Sequence, residues 1–261
     1  KGVSLKNYSL YKIHKHHKKM SLKEPLGKLK NLGITVSTRN RKLNQIHSFS
    51  LPTIISCPDR TALCESLCYA VKFEKQYKAS TRDNYEDNLA FVQKDITRFT
   101  EVMTEFFKSY EHKKVKGKKI PFRIHVAGDF FSSEYIKAWH SIVKDSPNTM
   151  FTVYTRAWRN KASRLLIEDL ASLDNINVWA SLDKDTGDIL LDEKSTIRRA
   201  YLSVNDTDLP SYSVDILFRN DQSTTLTKLP NKGKVCPYEM GLKNSKKMNC
   251  LTCNICYKIQ S

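Results

Sequence analysis

The sequence predicts an α/β fold built on a parallel sheet, and three observations carry that prediction. Strand-like apolar runs alternate with helix-like runs through the middle of the chain. Successive strands begin about 27 residues apart, the spacing of βα units with helical crossovers. The composition is that of an ordinary globular protein, with 261 residues, 40% hydrophobic and 27% charged, enough to bury a sizeable core.

The elements follow in order. Residues 1 to 50 hold 12 Lys or Arg against the single acid Glu24, with His14, His16 and His17 among them, and read as a basic N-terminal arm or an irregular lobe. Met20 reads either as an internal methionine or as an initiator behind a leader. From Tyr85, apolar residues recur at Leu89, Val92, Ile96, Phe99, Met103, Phe106 and Tyr110, which predicts one helix of about thirty residues with a core-facing stripe. The basic loop HKKVKGKK follows. Then come a strand at Phe122 to Val126, a helix from Ser133 to Lys144, a strand at Met150 to Tyr154, a helix from Lys161 to Leu173 and a strand at Ile176 to Ser181. Weaker strands are expected at Ala200 to Val204 and Val214 to Phe218. This alternation is compatible with a complete barrel, a partial barrel or an open doubly wound sheet.

Charge divides the chain in the same places. The formal net charge is +17, and it partitions as +11 over residues 1–50, zero over 51–227 and +6 over 228–261. We therefore divide the chain into a basic arm (1–50), an α/β core (51–227) and a Cys-rich lobe (228–261). A nucleic acid or other polyanion is the partner such basic flanks would grip, although lysine runs are also simply solvated faces. No run approaches the roughly 18 apolar residues of a membrane span, and no secretory signal is visible, so a cytoplasmic location without a membrane is expected.

All seven cysteines fall into two groups. The first, SCPDRTALCESLCYA, contains Cys57, Cys64 and Cys68; the second, CPYEMGLKNSKKMNCLTCNIC, contains Cys236, Cys250, Cys253 and Cys256. An odd count in short-gapped clusters suits metal binding in a reducing compartment better than a disulfide framework. Four thiolates suit a 4Fe-4S cluster, with tetrahedral zinc as the alternative. Three thiolates at the first group would leave one iron open to a ligand or substrate. The competing reading makes them core cysteines, or zinc ligands shared with a histidine such as His47.

In α/β sheets functional side chains gather at the carboxyl ends of the strands. That rule selects His125, Gly128 and Asp129, then Thr155 and Arg156, then Ser181 and Asp183. Asp129 is a candidate proton acceptor, and Arg156 a two-point anchor for a carboxylate or phosphate of a small-molecule substrate. Asp129 also reads as a helix cap, together with Ser132 or Ser133, His125 as a satisfied core histidine, and Arg156 as an ion-pair or packing residue. GxGxxG, P-loop, HExxH and GxSxG motifs are absent, which removes the usual support for nucleotide hydrolysis, zinc proteolysis and serine hydrolysis.

FSLPTIISCP, CESLCYA and RIHVAGDFF resemble the bacteriophage family of gene product 88, from about Leu43 to Cys256, which implies a host-cell cytoplasmic location and no established chemistry. CESLCYA also distantly resembles the start of the CxxxCxxC loop of radical S-adenosylmethionine enzymes. That likeness implies an α/β incomplete βα barrel, TIM-like in kind, carrying one or two 4Fe-4S clusters. It places Tyr69 beside the cysteines, Gly128 against the methionine amino group of S-adenosylmethionine and the strand ends at Thr155, Ser181 and Asp183 around the same cofactor cavity, while the strand-end rule supplies His125, Asp129 and Arg156 as the catalytic candidates. The cysteine expected three positions beyond Cys68 is Val71, so Cys57 would have to serve in its place. The function expected is an iron–sulfur enzyme of redox or radical type, with a zinc-stabilised DNA- or RNA-binding protein as the alternative.

Overall fold

The computed structural model describes residues 23–38, 40–111, 119–187, 195–220, 225, 227–229, 233–240 and 248–258. His14, His16, His17 and Met20, the basic loop over 112–118, and Lys243, Lys246 and Lys247 of the basic C-terminal flank lie outside these residues.

Among the described residues eight strands lie side by side in chain order: β1 (Val36–Ser37), β2 (His47–Phe49), β3 (Ile120–Ile124), β4 (Thr149–Thr155), β5 (Ile176–Leu182), β6 (Arg198–Ser203), β7 (Ile216–Arg219) and β8 (Lys234–Val235). The β1/β2 pair is antiparallel and every other neighbouring pair is parallel. Parallel neighbours need crossovers, and right-handed crossovers between strands laid down in one direction place the connecting helices on one face. Helices α5 (Ile96–Glu111), α6 (Ser133–Lys144) and α7 (Lys161–Ala171) form that layer. The sheet is open, with β1 and β8 as its edges. The α/β class and parallel sheet stand as predicted, while the TIM-barrel designation is corrected to an open sheet.

Period-two alternation sorts the strands into two faces. Phe122, Ile124, Phe151, Val153, Val178, Ala180, Leu182, Tyr201 and Leu217 belong to the main core beneath the helices. There Phe107 of α5 meets Phe122 and Phe151 edge-on at 4.8 and 4.9 Å between ring centres, a geometry favoured by aromatic quadrupoles. The intervening residues, among them Arg123, Thr152, Tyr154, Asn177, Trp179, Arg198 and Phe218, face the other way. That inner face is covered by residues around Leu43 and Ile46 and by the C-terminal segment ending in Tyr257.

The predicted thirty-residue helix is two helices, α4 (Arg82–Lys94) and α5, broken at Asp95. Asp95 is extended (φ −157°, ψ 91°), and its carboxylate accepts from the Arg98 amide at 2.8 Å, so an N-cap restarts the helix without moving the apolar stripe off the core. Strand β3 ends two residues earlier than predicted, because His125 adopts a left-handed φ of 58°. The helix predicted from Ser133 to Lys144 is α6, capped by Ser132, whose hydroxyl accepts from the Tyr135 amide. Helix α1 (Lys23–Asn31) and strand β1 bring Leu29, Ile34 and Val36 into the main core, so this stretch of the basic N-terminal region is integral to the fold.

Candidate active site at the carboxyl edge of the sheet

The chain between β2 and helix α2 (Ala62–Ser66) folds over the carboxyl ends of β3, β4 and β5. Gly128 makes this possible. It has φ +81°, and a Cβ there would come within 2.6 Å of Leu51 Cβ and 2.7 Å of Ser56 Oγ, so only glycine lets the two segments approach this closely. The Asp129 amide then donates to the Ser56 carbonyl at 3.2 Å.

Asp129 is nearly fully buried and accepts three hydrogen bonds, from the Thr155 hydroxyl and from the Phe130 and Arg156 amides. Burial pushes its carboxyl up to about 6 in spite of those donors, which favour the charged form. Arg156 directs Nη2 to Asp183 Oδ2 at 2.7 Å, in an ion pair whose side chains are 8% and 0% exposed. Asp183 also accepts from the Thr61 hydroxyl at 2.8 Å and from the Asp185 amide at 2.9 Å. Thr61 is the N-cap of α2, receiving the Cys64 amide at 3.0 Å. One carboxylate thus ties the first cysteine loop, β4 and β5 together.

Arg156 Nη1 is buried and has no hydrogen-bond partner among the described residues. Of the two contacts expected from this guanidinium, one is already occupied by Asp183. Two thiols border the cluster. Burial pushes the Cys57 thiol up to about 12, reinforced by the charge of Asp129; burial also raises Cys64, opposed by Arg156. Both therefore remain thiols at neutral pH.

The other predicted residues are placed as follows. His125 is buried, with Nε2 2.8 Å from the Tyr135 hydroxyl and its ring against Phe130, and burial pushes it down to about 3, so it is neutral and turned toward α6. The Ser181 carbonyl accepts from Trp158 Nε1 at 3.3 Å. Tyr69 opens helix α3 (Tyr69–Gln76) and donates its hydroxyl to the Val126 carbonyl, beside the same edge. Thr61 was missed by residue-type reasoning, although a threonine directly before ALCES is a visible cap signal. A groove of about 750 Å³ between α5 and α6, lined by Thr100, Glu105 and Lys137 among others, lies on the outer layer away from this cluster.

The second cysteine group sits on the inner face. Cys236 packs with Trp179, Ala200 and Ile216, and Cys256 Sγ accepts from the Tyr154 hydroxyl at 2.9 Å. Lys42 pairs with Glu239 and lies over the Phe218 and Tyr238 rings. Arg123 stands 4.0 Å over the Tyr154 ring and Arg198 3.8 Å over Trp179. Burial pushes Cys236 up to about 12 and Cys250 up to about 11, against the opposing charge of Lys42.

These placements overturn the metal reading. Among the described residues, which include all seven cysteines, no group of three or more His, Cys, Asp or Glu side chains is arranged to hold a metal ion. Cysteines of each group lie near one another, but each sulfur also meets a local partner, Cys57 beside Asp129, Cys64 beside Arg156, Cys236 in an apolar cluster and Cys256 on Tyr154. The 4Fe-4S clusters, the zinc alternative, the metal-ligand roles of Cys57, Cys64, Cys68, Cys236, Cys250, Cys253 and Cys256, and the iron–sulfur enzyme and zinc-stabilised nucleic-acid protein built on them are corrected accordingly. S-adenosylmethionine bound at an open iron goes with them.

The model of the family described as gene product 88 matches residues 12–259. The chain belongs to the gene product 88 family. The Gene 88 protein of Mycobacterium phage L5 is 31% identical over 227 residues, covering 83% of this chain and 85% of the phage protein. The Gene 88 protein of Mycobacterium phage D29 is 34% identical over 156 residues, covering 58% and 62%. No solved structure matches the chain. The gene product 88 resemblance is confirmed, and the radical-enzyme resemblance finds no support. Among the described residues no helix is long and apolar enough to cross a membrane.

Proposed function

We propose that this gene product 88 protein is an enzyme that takes a small anionic substrate at the carboxyl edge of its sheet and acts on it by acid–base chemistry. The observation that carries the reading is the orphaned Nη1 of Arg156. A buried donor without a partner costs about 1–3 kcal/mol, a cost that an acceptor oxygen on a ligand removes. Asp183 fixes the guanidinium in place, so a carboxylate or phosphate oxygen meets a pre-oriented donor. Asp129, with its carboxyl raised to about 6, is poised to exchange a proton near neutral pH. Its position at the ends of parallel strands is where open α/β sheets place ligands. His125, neutral and facing α6, has no part in this site.

The test is calorimetric titration with a panel of phosphate monoesters and small carboxylic acids. Arg156→Lys is expected to weaken any anion that binds by at least about tenfold, while Asp129→Asn keeps the binding and loses turnover. Equal affinity in wild type and Arg156→Lys would remove the basis of the proposal.

A second reading concerns the flanks and rests on the charge partition, in which the whole +17 lies outside residues 51–227. Here a polyanion is held by the terminal segments. Replacing Lys243, Lys246 and Lys247 with Glu should lower retention on an immobilised polyanion and flatten its salt dependence. Unchanged elution would exclude those lysines from such a contact.

A further inference from the structure

The inner face carries a feature that the proposed site does not use. Helix α8 (Cys250–Cys253) is a single turn fixed at both ends. Asn249 Oδ1 accepts from the Thr252 amide at 3.0 Å, and Thr252 Oγ1 accepts from the Asn249 amide at 3.1 Å. Asn254, left-handed at φ 56°, closes the turn by donating its amide to the Cys250 carbonyl at 2.9 Å. Cys250 and Cys253 therefore stand at i and i+3 of one helical turn. Across one helical turn the Cα atoms of such a pair stand about 5 Å apart, inside the span of about 4.4–6.8 Å that a disulfide bridges. The Cβ atoms, about 5–6 Å apart, close to about 4 Å through a small tightening of the turn.

The third thiol of the lobe, Cys256, packs in the same cluster as Cys250 but is engaged by other groups. Cys256 Sγ accepts from Tyr154, and the Cys256 carbonyl accepts from Thr152 Oγ1 at 3.1 Å and Asn177 Nδ2 at 3.0 Å. Cys250 and Cys253 are both half-buried, so a small reagent can reach them, whereas Cys236 is buried.

We infer that Cys250 and Cys253 form a redox dithiol, which a low-molecular-weight disulfide converts into an intramolecular disulfide. One cysteine thiolate attacks the reagent, its S–S bond breaks, and one reagent thiol leaves. The second cysteine thiolate then attacks the mixed disulfide and releases the other reagent thiol. Two protons leave the cysteines, and two electrons pass from the protein sulfurs to the reagent, which departs as two thiols. The product cross-links the turn just ahead of Ile255–Tyr257, the segment that rests on β4 and β5.

The experiment exposes the full chain to oxidised glutathione at pH 8, quenches with an alkylating agent, and analyses the tryptic peptide spanning 248–258. The expected result is the loss of two alkylatable thiols and of two hydrogens from that peptide, reversed by dithiothreitol. The change should survive in Cys256→Ser and vanish in Cys253→Ser, with each variant shown to be folded by circular dichroism. Full alkylation after treatment, a bond that disappears in Cys256→Ser, or a stable glutathione adduct without the internal bond would each overturn the inference.

Discussion

The two faces of the sheet are built from different physics. The outer face buries hydrocarbon against α5, α6 and α7: Phe122, Phe151, Val153 and Val178 are at most 1% exposed, and Trp139 of α6 is fully enclosed among them. The inner face combines two smaller apolar clusters, around Leu43 and Ile46 and around Trp179 and Ile216, with directed contacts. Arg123 and Arg198 lie over aromatic rings, while Thr152 and Asn177 reach the backbone of the last turn. An area-driven layer tolerates shape-conserving exchange but not voids. A contact-driven layer depends on each partner being present, since a buried polar group left alone costs more than a made bond contributes. The carboxyl-edge site lies along the rim where the two regimes meet.

The widest test of this contrast is Trp139→Ala, which opens a large void on the outer side and should lower stability by about 3–5 kcal/mol in urea denaturation. A loss below about 1 kcal/mol would mean that the layer is not close-packed. Asp183→Ala strands a buried guanidinium at the rim and should cost about 3 kcal/mol. It should also increase proteolysis of the 52–68 loop, which Asp183 holds through Thr61.

Asp129 supplies a pH signature. Its carboxyl is raised to about 6 in the folded chain against about 3.9 unfolded, so the native state binds more proton between those values. Its contribution to stability is fully present below about pH 4 and is lost as pH rises through about 6, a change on the order of 3 kcal/mol. The stability difference between wild type and Asp129→Asn, measured by urea titration from pH 4 to 7, should move in that direction. A flat difference would contradict the burial of this carboxylate. The smallest effect is expected on the inner face: Tyr154→Phe removes one hydroxyl-to-sulfur bond and should cost about 0.5–1.5 kcal/mol, with faster alkylation of Cys256.

Much of the outer face was legible in the sequence because periodicity records burial. The stripe from Leu89 to Tyr110 and the runs around Phe122, Met150 and Ile176 each lie where the pattern placed them. The break at Asp95 was not, because a capping aspartate between two in-phase stripes leaves the apolar spacing unchanged. Strands β1, β2 and β8 were missed because each is only two or three residues long, too short to show alternation. At the site, the rule of strand ends gathered Asp129, Thr155, Arg156 and Asp183, which the structure brings into mutual contact. It could not show that His125 turns away, since that depends on a left-handed backbone at the end of β3. The cysteine spacing misled because sequence separation says nothing about which neighbour each sulfur meets after folding, as Cys256 on Tyr154 illustrates.

The sequential strand order has a consequence for synthesis. The β3–α6 and β4–α7 units can cover their own outer face as they leave the ribosome, because the helix follows its strand directly. The inner face must wait for the last stretch of chain: Lys42 meets Glu239 across 197 residues, and Thr152 meets Cys256 across 104. Throughout that wait the exposed surface mixes arginine, threonine, asparagine and tyrosine, which water can solvate, with Met150, Trp179, Ile216 and Phe218, which it solvates poorly. A half-built nascent chain therefore offers its neighbours an apolar patch until the last segment arrives.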